Sequence, residues 1–212
     1  MGDEYATRFL TVAWSPDGVH LAGGGDDGHV YVWDTATGRL VQRLAGHHGA
    51  INSVAWSPHR AQLASAGSGS KGGEVLVWDI RRGVRVRSLD GQERIVHAVT
   101  WGKNGDTLVS GSGDGKLRWW DLGSGERSQE CDAHQGRVLS LRRNPEGTRL
   151  ASCGDDGAVH LWDQGSGERL QTLRQDRPYE RLNISGIRGL TEAKKEDLRM
   201  LGAIEEPSKL VG

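Results

Sequence analysis

At 212 residues the chain can build one substantial core or a few repeat units, and 32 glycines with 8 tryptophans against 1 Phe and 2 Met imply many turns hung on a few large anchors. A formal net charge of -1 removes electrostatic support for non-specific nucleic-acid binding. Cys131 and Cys153 form no C-x-x-C pair, no apolar span of about 18 residues occurs and "MGDEYATRFL" has no signal-like pattern, so the expectation is a soluble, cytoplasmic protein with free thiols and no membrane contact.

In the first unit, about residues 8–46, "FLTVAWSPDG", "LAGGG", "HVYVWD" and "RLVQRL" are short β-prone runs broken by Pro-Asp-Gly, Asp-Gly and Thr-Gly turns, which predicts four strands. Degenerate copies follow at about 47–90, 91–132 and 133–174. Trp-Asp pairs fall at Trp33, Trp78, Trp120 and Trp162, and an upstream marker at Trp14, Trp56, Trp101 and Arg143. From marker to Trp-Asp the distance is 19, 22, 19 and 19 residues, so the one length change lies in "SAGSGSKGGE" of the second unit, which predicts a solvent-facing loop there. The basic cluster "RRGVRVR", Arg81 to Arg87, falls where the outermost strand of that unit runs. A four-stranded sheet cannot bury both of its faces alone, so the units must stack side by side.

Units of about 42 residues with "GH" before the first strand, "SPDG" after it, a "DG" turn and a closing "WD" resemble the WD-repeat family of β-propellers over roughly residues 8–174. The resemblance implies an all-β fold of four propeller blades, as a partial or oligomer-completed ring, with a hydrogen-bonded chain of His, Ser or Thr, Asp and Trp inside each blade. Carried over by position, the first unit keeps Asp27 and Trp33, with Gly23 in the serine place. The second keeps His47, Ser65 and Trp78, with Gly72 in the aspartate place. The third keeps Ser110, Asp114 and Trp120, with Gln92 for histidine, and the fourth is complete with His134, Ser152, Asp156 and Trp162.

A hydrolase reading makes Ser152 a nucleophile, His134 its base and Asp156 the orienting acid. Partial repetition of the set in other units, the lack of a G-x-S-x-G elbow and the tryptophan completing the chain favour a structural role. "GSGSKGG" and "GSGDGK" lack the phosphate-loop pattern and lead into strands, and "GGDDG" and "CGDDG" lack a calcium-loop layout. No metal site and no cofactor are expected.

After residue 174 the repeat stops. The tail, 175–212, carries a helix expected near 192–201, capped by Thr191 and stopped at Gly202, with Leu198 and Leu201 as its docking residues. The segment "RPYERLNISGIRGLTEA" is similar to the end of large bacterial WD-repeat proteins whose N-terminal parts carry a signalling NTPase of the NACHT or NB-ARC type. Four blades are few for a closed ring, which leaves a truncated ring, two chains forming an eight-bladed ring as a homodimer, or completion by another polypeptide.

The preferred function is a non-enzymatic, protein-binding scaffold, the ligand-sensing end of a bacterial signalling protein or a split relative of one. Candidate partner contacts on the face bearing the "GH" and "DG" loops are Asn52, Lys71, His97, Trp101 and Arg137, with Trp101 read first as a packing anchor. The alternatives are a hydrolase using His134 and Ser152, and an RNA binder using Arg81 to Arg87, the latter disfavoured by the net charge.

Overall fold

Alternating β-branched, aromatic and leucine residues between glycine turns form the strands seen in a computed structural model, which describes residues 7–175, 179, 182–185, 187 and 189–205. Blade 1 consists of β1 (Phe9–Trp14), β2 (His20–Gly25), β3 (His29–Asp34) and β4 (Leu40–Ala45). Blade 2 holds β5 (Ile51–Trp56), β6 (Gln62–Gly69), β7 (Gly72–Asp79) and β8 (Val84–Leu89). Blade 3 holds β9 (Val96–Trp101), β10 (Thr107–Ser112), β11 (Lys116–Asp121) and β12 (Arg127–Asp132). Blade 4 holds β13 (Val138–Arg143), β14 (Arg149–Gly154), β15 (Val159–Asp163) and β16 (Arg169–Leu173). Each blade is an antiparallel meander in chain order, the topology of a propeller blade.

The aspartate of each Trp-Asp pair has a local task. Its carboxylate accepts the backbone N–H three residues on, from Thr37 (2.8 Å), Arg82 (3.0 Å), Ser124 (2.7 Å) and Ser166 (2.8 Å), which folds the turn between the third and fourth strands. Gly38, Gly83, Gly125 and Gly167 close those turns with φ between 65° and 81°.

The three extra residues of the second unit do not make the expected loop. Instead β6 and β7 are eight residues long against six in β2 and β3, and Ser68 pairs with Gly73 and Gly69 with Gly72 across a two-residue turn at Ser70 and Lys71. Strand pairing uses main-chain groups, so a Gly/Ser run can extend a hairpin when its two arms are in register. The glycines serve close approach as well: a Cβ on Gly72 would lie 2.5 Å from the Gln92 carbonyl oxygen.

Every blade has two faces. One, here the back, carries the tryptophan of the Trp-Asp pair and meets the preceding blade; the other, the front, meets the next. Three apolar clusters mark the three joints between successive blades. Val30, Val32 and Leu44 meet Leu63, Leu76 and Trp78; Val75, Val77 and Leu89 meet Val99, Trp101 and Trp120; Val109, Leu117 and Trp119 meet Leu141, Leu150 and Trp162.

Polar bonds repeat at these joints. Trp56 donates its indole N–H to the Ala13 carbonyl at 3.0 Å, and Trp101 donates to Ala55 at 2.8 Å. At the third joint Arg143 replaces the marker tryptophan, and Trp119 on the opposite side donates to the Gln164 carbonyl at 3.1 Å. From the outer strands Gln42 reaches the Ile80 carbonyl, Arg87 reaches Gly123 (3.0 Å) and Gln129 reaches Ser166 (2.9 Å), each in the turn after the next blade's Trp-Asp pair.

Residues 174–212 form a separate unit. In it α1 (Glu192–Met200) starts at Thr191, whose Oγ1 accepts the Lys194 N–H at 3.3 Å, and ends at Leu201. Lys195 pairs with Glu205 at 2.9 Å, and Asn183 bridges Ile204. Leu198 is half-buried and Leu201 exposed. Among the described residues no helix is long and apolar enough to cross a membrane.

Candidate functional site

In blade 4 the predicted residues meet in one chain. Trp162 Nε1 lies 2.9 Å from Ser152 Oγ, Ser152 Oγ 2.8 Å from His134 Nε2, and His134 Nδ1 2.9 Å from Asp156 Oδ1. An indole N–H only donates and a carboxylate only accepts, so with a neutral imidazole the protons run from Trp162 to Ser152, from Ser152 to His134 and from His134 to Asp156. Burial pushes the Asp156 carboxyl up, but the bonds from His134 and from the Ala158 and Gln135 amides outweigh it and hold it below the usual carboxylate range.

The other blades build the same brace from different parts. In blade 2, Ser65 Oγ takes the Trp78 indole N–H at 2.7 Å and sits 2.6 Å from His47 Nε2. The carboxylate lost at Gly72 is supplied by Glu74, whose Oε2 lies 3.1 Å from His47 Nδ1, within ion-pair reach though without hydrogen-bond alignment. Burial drives His47 down from 6.5 to about 4, against the opposing pull of Glu74.

In blade 3, Gln92 Nε2 donates to Ser110 Oγ at 2.8 Å and Trp120 Nε1 donates to the same oxygen at 2.9 Å. Arg118, 1% exposed, then ties the ends together. It donates to Gln92 Oε1 (3.3 Å), Ser112 Oγ (3.0 Å) and Asp114 Oδ2 (2.6 Å), and its Nε lies 2.9 Å from Glu130 Oε2. Burial raises the Asp114 carboxyl, and the Arg118 and Ser112 bonds bring it below its ordinary value.

In blade 1 Asp27 instead accepts from the Tyr31 hydroxyl at 2.5 Å and from Thr7 Oγ1 at 3.1 Å, with His29 Nδ1 3.3 Å away. Gly23 replaces the serine because a Cβ there would lie 2.9 Å from Trp33 Cζ3, and Phe9 fills the space, edge-on to Trp33 at 5.1 Å. Tyr31, Leu76, Arg118 and His160 all occupy the place two residues before the Trp-Asp tryptophan. Reading the motif positions alone missed Arg118 and Glu74; the signal for Arg118 was a charged residue at an inward position of "KLRWWD".

His134, Asp156 and His160 bring metal-ligand atoms within 4.8 Å of one another, where no metal site was expected. Both ring nitrogens of His134 are already bonded within the brace, and His160 Nδ1 lies 2.9 Å from Thr172 Oγ1, so holding an ion would require breaking it.

The five proposed partner contacts are not equivalent. Trp101 is buried in the joint between blades 2 and 3, and Asn52 Nδ2 donates to the Val96 carbonyl at 3.2 Å in the same joint. Lys71 is exposed at the hairpin turn. Arg137 is exposed and holds Asp155 with two bonds, 2.9 and 3.2 Å; burial, then the Arg137 charge, lowers the half-buried His97 beside this pair. Within the basic cluster Arg87 is spent on the joint, while Arg81, Arg82 and Arg85 face solvent.

A family model described as the nucleolar protein 10-like N-terminal domain, a β-propeller, matches residues 6–201. The chain belongs to this β-propeller family. Over 64 residues it is 44% identical to the human U5 small nuclear ribonucleoprotein 40 kDa protein, covering 30% of this chain and 18% of that one. Over 66 residues it is 33% identical to Protein FIZZY-RELATED 1 of Arabidopsis thaliana, covering 31% and 14%. A chain in a crystal structure of the mitotic checkpoint complex matches with a TM-score of 0.71 at 26% identity, over 80% of this chain and 52% of that one. The matches thus take in less than a fifth of these curated relatives and about half of the solved chain. This chain is a WD-repeat β-propeller protein. Its similarity to these eukaryotic proteins lends no support to the bacterial NTPase resemblance of the tail.

Proposed function

We propose that this chain is a non-enzymatic scaffold that binds a protein partner through the loops on the face bearing Lys71, His97 and Arg137. The observation that carries the reading is the state of Ser152. It is 2% exposed, and one lone pair of its oxygen is taken by the Trp162 indole, so the hydroxyl that a hydrolase would need as nucleophile is both enclosed and occupied. Ser65 and Ser110 stand in the same place with altered partners, as suits a brace repeated for stability.

A cytoplasmic setting belongs to this reading and is supported by the free thiols; burial pushes Cys131 up to about 11, which makes it an inert packing residue. The finer placement, as the sensing end of a signalling NTPase, rests on the tail sequence alone. A second reading, binding to RNA, is favoured by the exposed Arg81, Arg82 and Arg85 and by likeness to a ribonucleoprotein component.

Affinity isolation of the tagged chain from its source cells tests the proposal. A stoichiometric protein that is retained by the wild type and lost with Arg137→Glu or Lys71→Glu is the expected outcome. Retention of RNA that weakens with salt and with Arg82→Glu, with no protein retained, contradicts it.

A further inference from the structure

The three joints between blades are finished differently at one shared place, where the turn after a blade's first strand meets the outer strand of the blade before it. Between blades 2 and 3 this place is closed. Trp101 is 2% exposed, Arg87 spans to the Gly123 carbonyl, and Arg60 pairs with Asp106 across the joint. Between blades 1 and 2 it is open. Trp56, the counterpart of Trp101, is only half-buried, and a cavity of about 530 Å³ lies between Val41 and Gln42 of β4, Trp56 and Pro58 of blade 2, and Ile80 and Arg81 in the turn before β8.

Val41, Trp56, Pro58 and Ile80 give this cavity an apolar floor, with the His20 ring stacked on Trp56 at 6.1 Å between centroids. Two of its lining residues keep buried polar atoms without partners: Gln42 Oε1, whose amide nitrogen holds the Ile80 carbonyl, and Ser57 Oγ. In blade 1 the hydroxyl matching Ser57, that of Ser15, donates to Asp17 at 2.6 Å; His59 stands in the aspartate place of blade 2, and the bond is lost. The charge is one-sided. Asp17 is the one carboxylate among the described lining residues, and it already accepts from Ser15 and from the Val19 N–H at 3.0 Å. Arg81 at the mouth, with Arg82 and Arg85 beyond it, is exposed, and none of the three holds a carboxylate among the described residues. The matching cavity between blades 3 and 4, about 430 Å³, sets Asp106 and Asp163 against Lys103 instead.

We infer that the cavity between blades 1 and 2 is a docking site for an extended acidic segment of a partner protein, one that alternates apolar residues with Asp or Glu. An extended chain turns successive side chains to opposite sides, so the apolar ones enter between Val41 and Trp56 while the acidic ones stay outside against Arg81, Arg82 and Arg85. Burial of the apolar side chains supplies affinity, and the three guanidiniums fix the sign of the charge that is accepted. The volume falls within the range of pockets that hold a few side chains. Trp56 already carries the His20 ring, so aliphatic side chains suit this floor better than a stacked nucleobase. Turns after the first and third strands lie at the opposite end of each meander from the hairpin turn at Lys71, so this site is separate from the partner face proposed above.

Fluorescence anisotropy on the full chain tests this with four labelled probes: a peptide alternating Leu and Glu, the same peptide with Lys for Glu, the same with Gly for Leu, and a poly-uridine RNA. The Leu–Glu peptide is expected to bind, and each of the others to bind about tenfold more weakly or worse. Val41→Trp fills the cavity from an exposed position, and Arg81→Glu reverses the charge at its mouth. Each is expected to weaken binding of the Leu–Glu peptide by about tenfold or more, while Lys103→Glu, in the matching cavity, leaves it unchanged. Failure of the Leu–Glu peptide to bind overturns the inference, as does undiminished binding by Val41→Trp or Arg81→Glu, or equal binding of the Lys peptide. RNA that binds more tightly than the Leu–Glu peptide and is lost with Arg81→Glu overturns it as well. The measurement is made on the purified chain and stands whether or not the affinity experiment retains a partner, so the two proposals fail separately.

Discussion

His47 shows how one side chain carries both packing and pH sensitivity. Its ring bonds Ser65 on one side and faces Glu74 on the other, and burial holds its pKa at about 4 in the folded chain. In the unfolded chain it takes up a proton near 6.5, so the unfolded state binds more protons between those two values. Stability is therefore full above about pH 6.5 and falls as the pH is lowered toward about 4. Asp156 acts in a lower window: its depressed carboxyl stabilises the fold above the ordinary carboxylate range, and that contribution is lost as the pH falls through its folded value. His47→Gln keeps a hydrogen-bonding partner for Ser65, as Gln92 is for Ser110, and removes the titrating ring. Denaturant unfolding at about pH 7 and about pH 4.5 is expected to show a smaller loss for this variant than for the wild type. An identical loss in both would contradict the assignment.

At the scale of strands and turns, the glycines that follow the "DG" signal separate backbone geometry from blade contact. Gly115 and Gly157 share a positive φ, 81° and 69°, but only Gly115 faces the carbonyl of a following blade. Gly157→Ala is expected to cost about 1 kcal/mol, the strain of the left-handed conformation. Gly115→Ala adds a collision with the His134 carbonyl and is expected to lower the unfolding midpoint well beyond that in thermal melts. Equal shifts would mean that the joint does not press on Gly115.

The elements were legible in sequence because turn glycines and Trp-Asp pairs recur at fixed spacing, and so was the brace of blade 4, where every motif position is filled. Glu74 and Arg118 were not, because each takes over a lost function from a different strand position, and a comparison by column shows only that the usual residue is missing. The blade 2 hairpin was misread for a related reason: glycine and serine mark a loop by composition, while pairing between main chains leaves no trace in side-chain identity.

For the whole molecule, the repeat count placed four blades in series, but not which side chains share a face. That needed the strand registers, which put Trp14 and Val12 on one side of blade 1 and Val159 and Leu173 on the opposite side of blade 4. In such a linear array each blade is stabilised by its neighbours, so damage to one brace is felt in global unfolding. The central claim is that the serine, histidine and aspartate set braces a binding scaffold and transforms no substrate. Ser152→Ala leaves the Trp162 indole and the His134 ring without their shared partner, so a loss of about 1–3 kcal/mol per orphaned group is expected in equilibrium unfolding. The same samples, assayed for ester turnover, are expected to show none for either protein. A wild type that hydrolyses esters, with Ser152→Ala abolishing turnover at unchanged stability, would contradict it.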